Sequence, residues 1–267
     1  MDVNFYHWIC HSPNLIKNAP LLVDPMTLAS NPKLLPAISP NPRLGFYYQD
    51  CVKSMLDHNQ SYQIVADEVQ FNHNGQTVGA LDFVVRRLDI EEQPLEHWEV
   101  AIKFFLLLDG YWHGPNAHDR LDLKLDKMVK KQLLLTRHEG FSAKFPQFSG
   151  LRSRLLVQGR LYTNPFIDQP IPTHCADLEL EPKSINGHWC YHHQASNIDS
   201  KLFIVDKPYW ATGEHSGHCL DLDQHHFERD VHCVDESGTF WFIVPDNWPS
   251  VKETKGRESR SEGKPVA

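Results

Sequence analysis

No stretch of this chain approaches the roughly 20 consecutive apolar residues that cross a bilayer, so no membrane partner is expected. The N-terminus, MDVNFYHWICHSP, lacks the basic segment and long apolar core of a secretory signal. The six cysteines are scattered, with no C-x-x-C pair, so no disulfide framework is read and reduced thiols in a cytoplasmic protein are expected. No Gly-rich phosphate loop, nucleophile elbow or dinucleotide fingerprint is found. Positive charge is in deficit: 26 Lys and Arg stand against 34 Asp and Glu, a net charge of −8. That balance argues against non-specific coating of nucleic acid, while leaving room for a local basic groove. No motif names a protein partner.

What is present suits one large globular unit. The 267 residues are 41% hydrophobic and 22% charged, enough to bury a substantial core. Residues 1–42 are rich in proline, which argues against long helices and for an arm packed across the body. Leu44, Tyr47, Tyr48, Cys51 and Met55 recur with a helical period, predicting a helix over 43–58. Residues 62–65 and 68–72 read as strand pieces. Asn74-Gly75 marks a tight hairpin turn. Leu121, Leu125, Met128, Val129 and Leu133 give a second helical stripe. Asn116 is the expected N-cap of that helix, with Asp119 three positions later. Residues 155–162, 201–206 and 239–245 read as further strands. Trp189, Trp210, Trp241 and Trp248 are expected to form a second apolar cluster. The polar segment 251–267 reads as a disordered tail.

The chemistry concentrates in residues 76–105. Asp82 interrupts the apolar run VGALDFVV, and Glu99 and Lys103 interrupt WEVAIKFF. A buried strand rejects an unpaired carboxylate, because desolvating the charge costs several kcal/mol. With a side-chain period of two, His97, Glu99, Ala101 and Lys103 share one face. If the two strands are neighbours, Asp82 and Glu99 converge and need a cation or a shared proton. Mg²⁺ or Mn²⁺ suits carboxylates, carbonyls and water, and Lys103 would stabilise charge at phosphorus or orient a water. The plainer alternative is a Glu99–Lys103 salt bridge.

The pair GALDFVV and EHWEVAIKFF resembles the core of the PD-(D/E)XK, or restriction-endonuclease-like, nuclease superfamily. The longer run from RLGFYYQD through HWEVAIKFF and GPNAHDRLDLKL to LLVQGRLYTNP resembles a bacterial family described as domain of unknown function 1853. The superfamily resemblance implies an α/β fold with an α-β-β-β-α-β core around a central mixed sheet. That core would span 43–165, with 166–250 as a loop- and strand-rich extension of the same domain. It implies a metal-dependent phosphodiesterase acting on DNA or RNA, with Asp82, Glu99 and the Val100 carbonyl as metal ligands and Lys103 as a catalytic group. Asn116, Arg120 and Lys124 lie in the family-like motif and are candidate substrate contacts. Two departures stand out. Ala101 occupies the position of the superfamily lysine, and Gln49, beside Asp50, that of a first-helix glutamate. They point to an alternative, an inactive nuclease fold kept for binding.

Residues 166–267 hold nine of the 17 histidines and four of the six cysteines. His188, Cys190, His192, His193, Cys219 and Cys233 are the nearest to a zinc ligand set. Their spacing matches no familiar finger, so zinc is not expected. A zinc-stabilised interaction domain is the third reading.

Overall fold

The computed structural model describes residues 2–29, 35–39, 41–225 and 228–249. The expected tail lies outside the described residues. The chain opens with helix α1 (Asp2–His11) and continues through α2 (Leu44–Asp57). A ten-residue helix in the N-terminal arm departs from the expectation, because no proline precedes Pro13. Strands β1 (Tyr62–His73), β2 (Gln76–Arg87), β3 (Leu95–Leu108) and the short β4 (Tyr111–His113) follow. Next come α3 (Leu121–Lys127), α4 (Glu139–Lys144) and β5 (Arg152–Thr163). Two-residue strands β6 (His174–Cys175) and β7 (Leu178–Glu179) pair with one another. The last four strands are β8 (Ile185–Tyr191), β9 (Leu202–Ile204), β10 (Val231–Asp235) and β11 (Phe240–Val244).

One large mixed sheet runs in the order β1-β2-β3-β5-β8-β11-β10-β9, with β4 paired to β3. The central pairs β3·β5, β5·β8 and β8·β11 are parallel, and the outer ones are antiparallel. The segment 166–249 therefore continues the same sheet. Both faces of β3 are covered, and its alternation splits the core. Trp98, Val100, Ile102 and Phe104 pack under α1 and α2 with Phe5, Tyr47 and Tyr48. Phe105 and Leu107 pack on the other side with Leu121, Leu125 and Met128. The expected tryptophan cluster does not form as one body. Trp189 and Trp248 join the α2 side, Trp210 packs against it, and Trp241 lies in a separate cluster with Cys190 and Cys233. Trp241 and Phe242 are sequence neighbours, so the strand period sends them to opposite faces.

The first acidic strands behave unusually. β2 pairs with β3 only from Phe83↔Trp98 to Arg86↔Leu95. Beyond that point Gln76–Leu81 pairs with β1 alone, as a two-stranded arm. Its turn is built by Asn74 and Gly75, both with positive φ, as a tight hairpin turn requires. A bulge near Ile64 and the positive φ of Glu68 mark where the arm bends, the usual effect of a bulge. Phe71, Leu81, Leu135, Phe141 and Phe148 brace it. Among the described residues, positions 99–105 of β3 therefore have β5 on one side and no strand on the other until β4 begins at Leu106.

Candidate active site

Asp82 sits where the arm leaves the sheet. Its Oδ2 accepts a hydrogen bond from the Val100 N–H at 2.9 Å, so the carboxylate takes the place of a strand partner. The register sets Val84 opposite His97, and by the same period Asp82 faces the side of Glu99. Burial, and then the nearby Glu99 charge, push Asp82 up to about 7. Burial pushes Glu99 up to about 8. Neither carboxylate has a lysine or arginine within 4.0 Å among the described residues.

Both Glu99 oxygens are engaged. His97 Nε2 lies 2.7 Å from Oε1, and Gln132 Nε2 donates to Oε2 at 2.8 Å. Burial drives His97 down to about 4, so at neutral pH its ring is uncharged and this contact is a hydrogen bond rather than an ion pair. Among the described residues the buried His97 Nδ1 has no partner. Gln132 ends a π-helical turn, Met128–Gln132, that follows α3 directly. Such turns are rare and often sit at functional sites.

A cavity of about 630 Å³ opens over Asp82 and Gln132. Its rim carries Lys127, Lys130, Lys131 and Arg137, with His138 beside them. Of these Lys130 is paired with Asp126. A basic rim over an acidic floor is thus assembled in a chain of net charge −8. Glu68, exposed and on the arm strand facing Asp82, adds a further negative field.

The other expected residues lie elsewhere. Lys103 faces a neighbouring cavity together with Asn116. Asn116 does not cap α3. Its Oδ1 accepts from the His118 N–H at 3.1 Å, and the helix starts at Leu121 with Arg120 in the cap position. The cause is a local turn: Gly114 N–H bonds the Asp119 carbonyl at 2.7 Å, and Arg120 bridges to His113. Arg120 forks onto Asp122 at 2.6 and 3.1 Å and lies over the Tyr111 ring. Lys124 pairs with Asp119 at 2.7 Å. Gln49 is half-buried and Asp50 exposed on α2, which packs on the opposite face of β3. Sequence reading missed His97, Gln132 and Arg137 as parts of the site. His97 was within reach, since it shares a strand face with Glu99. Gln132 follows two lysines at the end of a helical stripe and carried no signal of its own.

The histidine- and cysteine-rich half disperses. His188 packs on Trp241, His193 bonds Asp246 at 2.9 Å, and Cys190 and Cys233 lie in the apolar cluster of Trp241. Among the described residues no group of three His, Cys, Asp or Glu converges as a metal site.

A family model described as domain of unknown function (DUF1853) matches residues 6–229. The chain belongs to this family. The match runs from α1 to the residue before Asp230, so it takes in the arm, both acids, the basic rim and most of the sheet. No curated protein and no solved structure matches the chain. Among the described residues no helix is long and apolar enough to cross a membrane.

Proposed function

We propose that this protein is a metal-dependent phosphodiesterase acting on DNA or RNA, built on a PD-(D/E)XK-like core. One observation carries the reading. Asp82 and Glu99 face one another where β2 leaves β3, both raised by burial, with no lysine or arginine among the described residues bonded to either. Like charges held together in a partly dry site call for a cation or a proton. The order α2-β1-β2-β3-β4-α3-α4-β5, with β3 and β5 parallel, supports the reading if the short β4 and α4 are insertions in an α-β-β-β-α-β core. The cations over Asp82 supply the field that a polyanion requires.

The donor chemistry fits a hard divalent cation such as Mg²⁺ or Mn²⁺. Asp82 has an oxygen not used on Val100, and the Val100 carbonyl projects from the same open edge as its N–H. Glu99 joins them once the Gln132 amide turns aside. Three oxygen donors with water completing the shell is a normal Mg²⁺ arrangement, and it needs no third acid. The bound ion would supply Lewis-acid polarisation of a phosphate oxygen and a more acidic water. The chain itself holds Asp82 in place through the Val100 N–H and orients Glu99 through His97. It gathers the substrate phosphates with Lys127, Lys131 and Arg137. A cytoplasmic location is part of the proposal.

Calorimetric titration with Mg²⁺ and Mn²⁺, followed by cleavage assays on single-stranded, double-stranded and branched substrates, tests it. Binding and cleavage are expected in the wild type and absent in Asp82→Asn. A second reading, a nuclease fold that binds nucleic acid without cutting it, is favoured by Ala101 in the place of the superfamily lysine. Nucleic-acid binding with no metal affinity would select it.

A further inference from the structure

A second cavity, of about 330 Å³, opens along the same unpaired edge of β3, at Ile102–Phe105. Three cations from separate elements face it: Arg43 at the start of α2, Lys103 from β3, and Lys207 from the segment after β9. Two acids share the wall. Asp119 is already bonded to Lys124 at 2.7 Å, which leaves Asp230 as the one carboxylate facing the three cations. Among the described residues no carboxylate lies within 4.0 Å of the charged ends of Arg43, Lys103 or Lys207.

Lys103 is the informative member. Burial, and then the adjacent Lys124 charge, lower its pKa. Asp119 and Asp82 act in the opposite sense without bonding it, so the half-buried ammonium keeps a desolvation cost that a bound anion would offset. On its other edge, away from the cavity, β3 is closed by β5. A Cβ on Gly159, which has a φ of +144°, would lie 1.7 Å from the Lys103 carbonyl oxygen, so β5 closes on β3 here as only glycine permits. Lys207 stands 5.5 Å over the Trp210 ring, which forms part of the same wall. From Val100 to Lys103 the strand advances by roughly 10 Å, a span that one short oligonucleotide covers.

We propose that this cavity is a phosphate subsite, which takes a phosphate of the strand whose scissile bond lies over Asp82 and Glu99. The assignment rests on the nuclease reading above and gives Lys103 an anchoring role, one cavity removed from the acids. The phosphate is either a terminal one or an internal phosphodiester, since both present the same anionic oxygens.

The test is fluorescence anisotropy of the full-length protein without divalent metal. Three short labelled oligonucleotides of one sequence are compared: 5′-phosphorylated, 3′-phosphorylated and unphosphorylated. Lys103→Met and Lys207→Ala are each expected to weaken binding about tenfold. Lys207 is exposed, so its variant folds whatever befalls Lys103→Met. A loss confined to one phosphorylated end assigns the subsite to a terminal phosphate, and an equal loss on all three assigns it to an internal one. Either result supports the subsite. Wild-type binding that neither variant changes, or no binding at all, overturns it. Weakened binding in a protein that never cleaves retains the subsite and removes the nuclease reading. Metal-dependent cleavage with unchanged binding removes the subsite alone.

Discussion

Strand β3 carries two glutamates three residues apart, each 1% exposed, in opposite surroundings. Glu96 accepts from Arg154 Nε and Trp98 Nε1, both at 2.9 Å, with Arg87 at 4.0 Å. Glu99 meets only a neutral histidine and an amide, and faces another acid across the strands. Glu96 is a charge the fold has answered, whereas Glu99 is one it has left open. Burial alone does not mark a site; burial without a countercharge does.

Breaking the answered charge should have the largest effect. Glu96→Gln leaves the partly exposed Arg154 facing a neutral amide, and losing hydrogen bonds to a charged group costs on the order of 1.5–3 kcal/mol. Urea unfolding should show that loss, and a loss below about 1 kcal/mol would make Glu96 no more structural than its neighbour.

Breaking the open charge should do the reverse. Glu99→Gln keeps an acceptor for Gln132 and offers His97 a hydrogen bond. The metal-free protein should then be unchanged or gain roughly 1 kcal/mol from relieved repulsion, while cleavage is lost. Destabilisation comparable to that of Glu96→Gln would erase the contrast.

The pH dependence follows from the same groups. In the folded chain Asp82, at about 7, and Glu99, at about 8, keep protons that the unfolded chain has released, so stability falls as pH rises. His97, at about 4, and His232, well below its ordinary 6.5, act in the opposite sense below pH 6.5 and offset the acids there. Above 6.5 both histidines are neutral in either state. Metal-free wild type should therefore lose stability between about pH 6.5 and 8, and Glu99→Gln should flatten that slope in a series of melts.

The smallest effect is expected from Gln132→Ala. Opening Glu99 to water should bring its pKa down from about 8 with little change in stability, as carboxyl NMR titration would register. An unmoved pKa would mean that Gln132 does not cover Glu99.

Much of this contrast was legible in the alternation of β2 and β3, which put Asp82 and Glu99 on one face. The Asn74-Gly75 turn and the helical stripe of α2 were legible for the same local reason. Glu96 was not, because its partner Arg154 is 58 residues away and the pairing exists only once β5 lies beside β3. Gln132 was hidden by the π-helical turn, which breaks the 3.6-residue period that places side chains. The start of α3 was misplaced because Gly114–Asp119 closes its own turn, a choice made by backbone hydrogen bonds rather than by residue type.

Thermal melts of the wild type and Asp82→Asn, each with and without Mg²⁺, test the central claim most directly. The wild type should gain stability on adding Mg²⁺, as any ligand that binds only the folded state provides. Asp82→Asn should melt at or above the metal-free wild type and ignore the metal. A metal-free Asp82→Asn melting far below the wild type, with no Mg²⁺ shift in either protein, would contradict a cation site at Asp82 and Glu99.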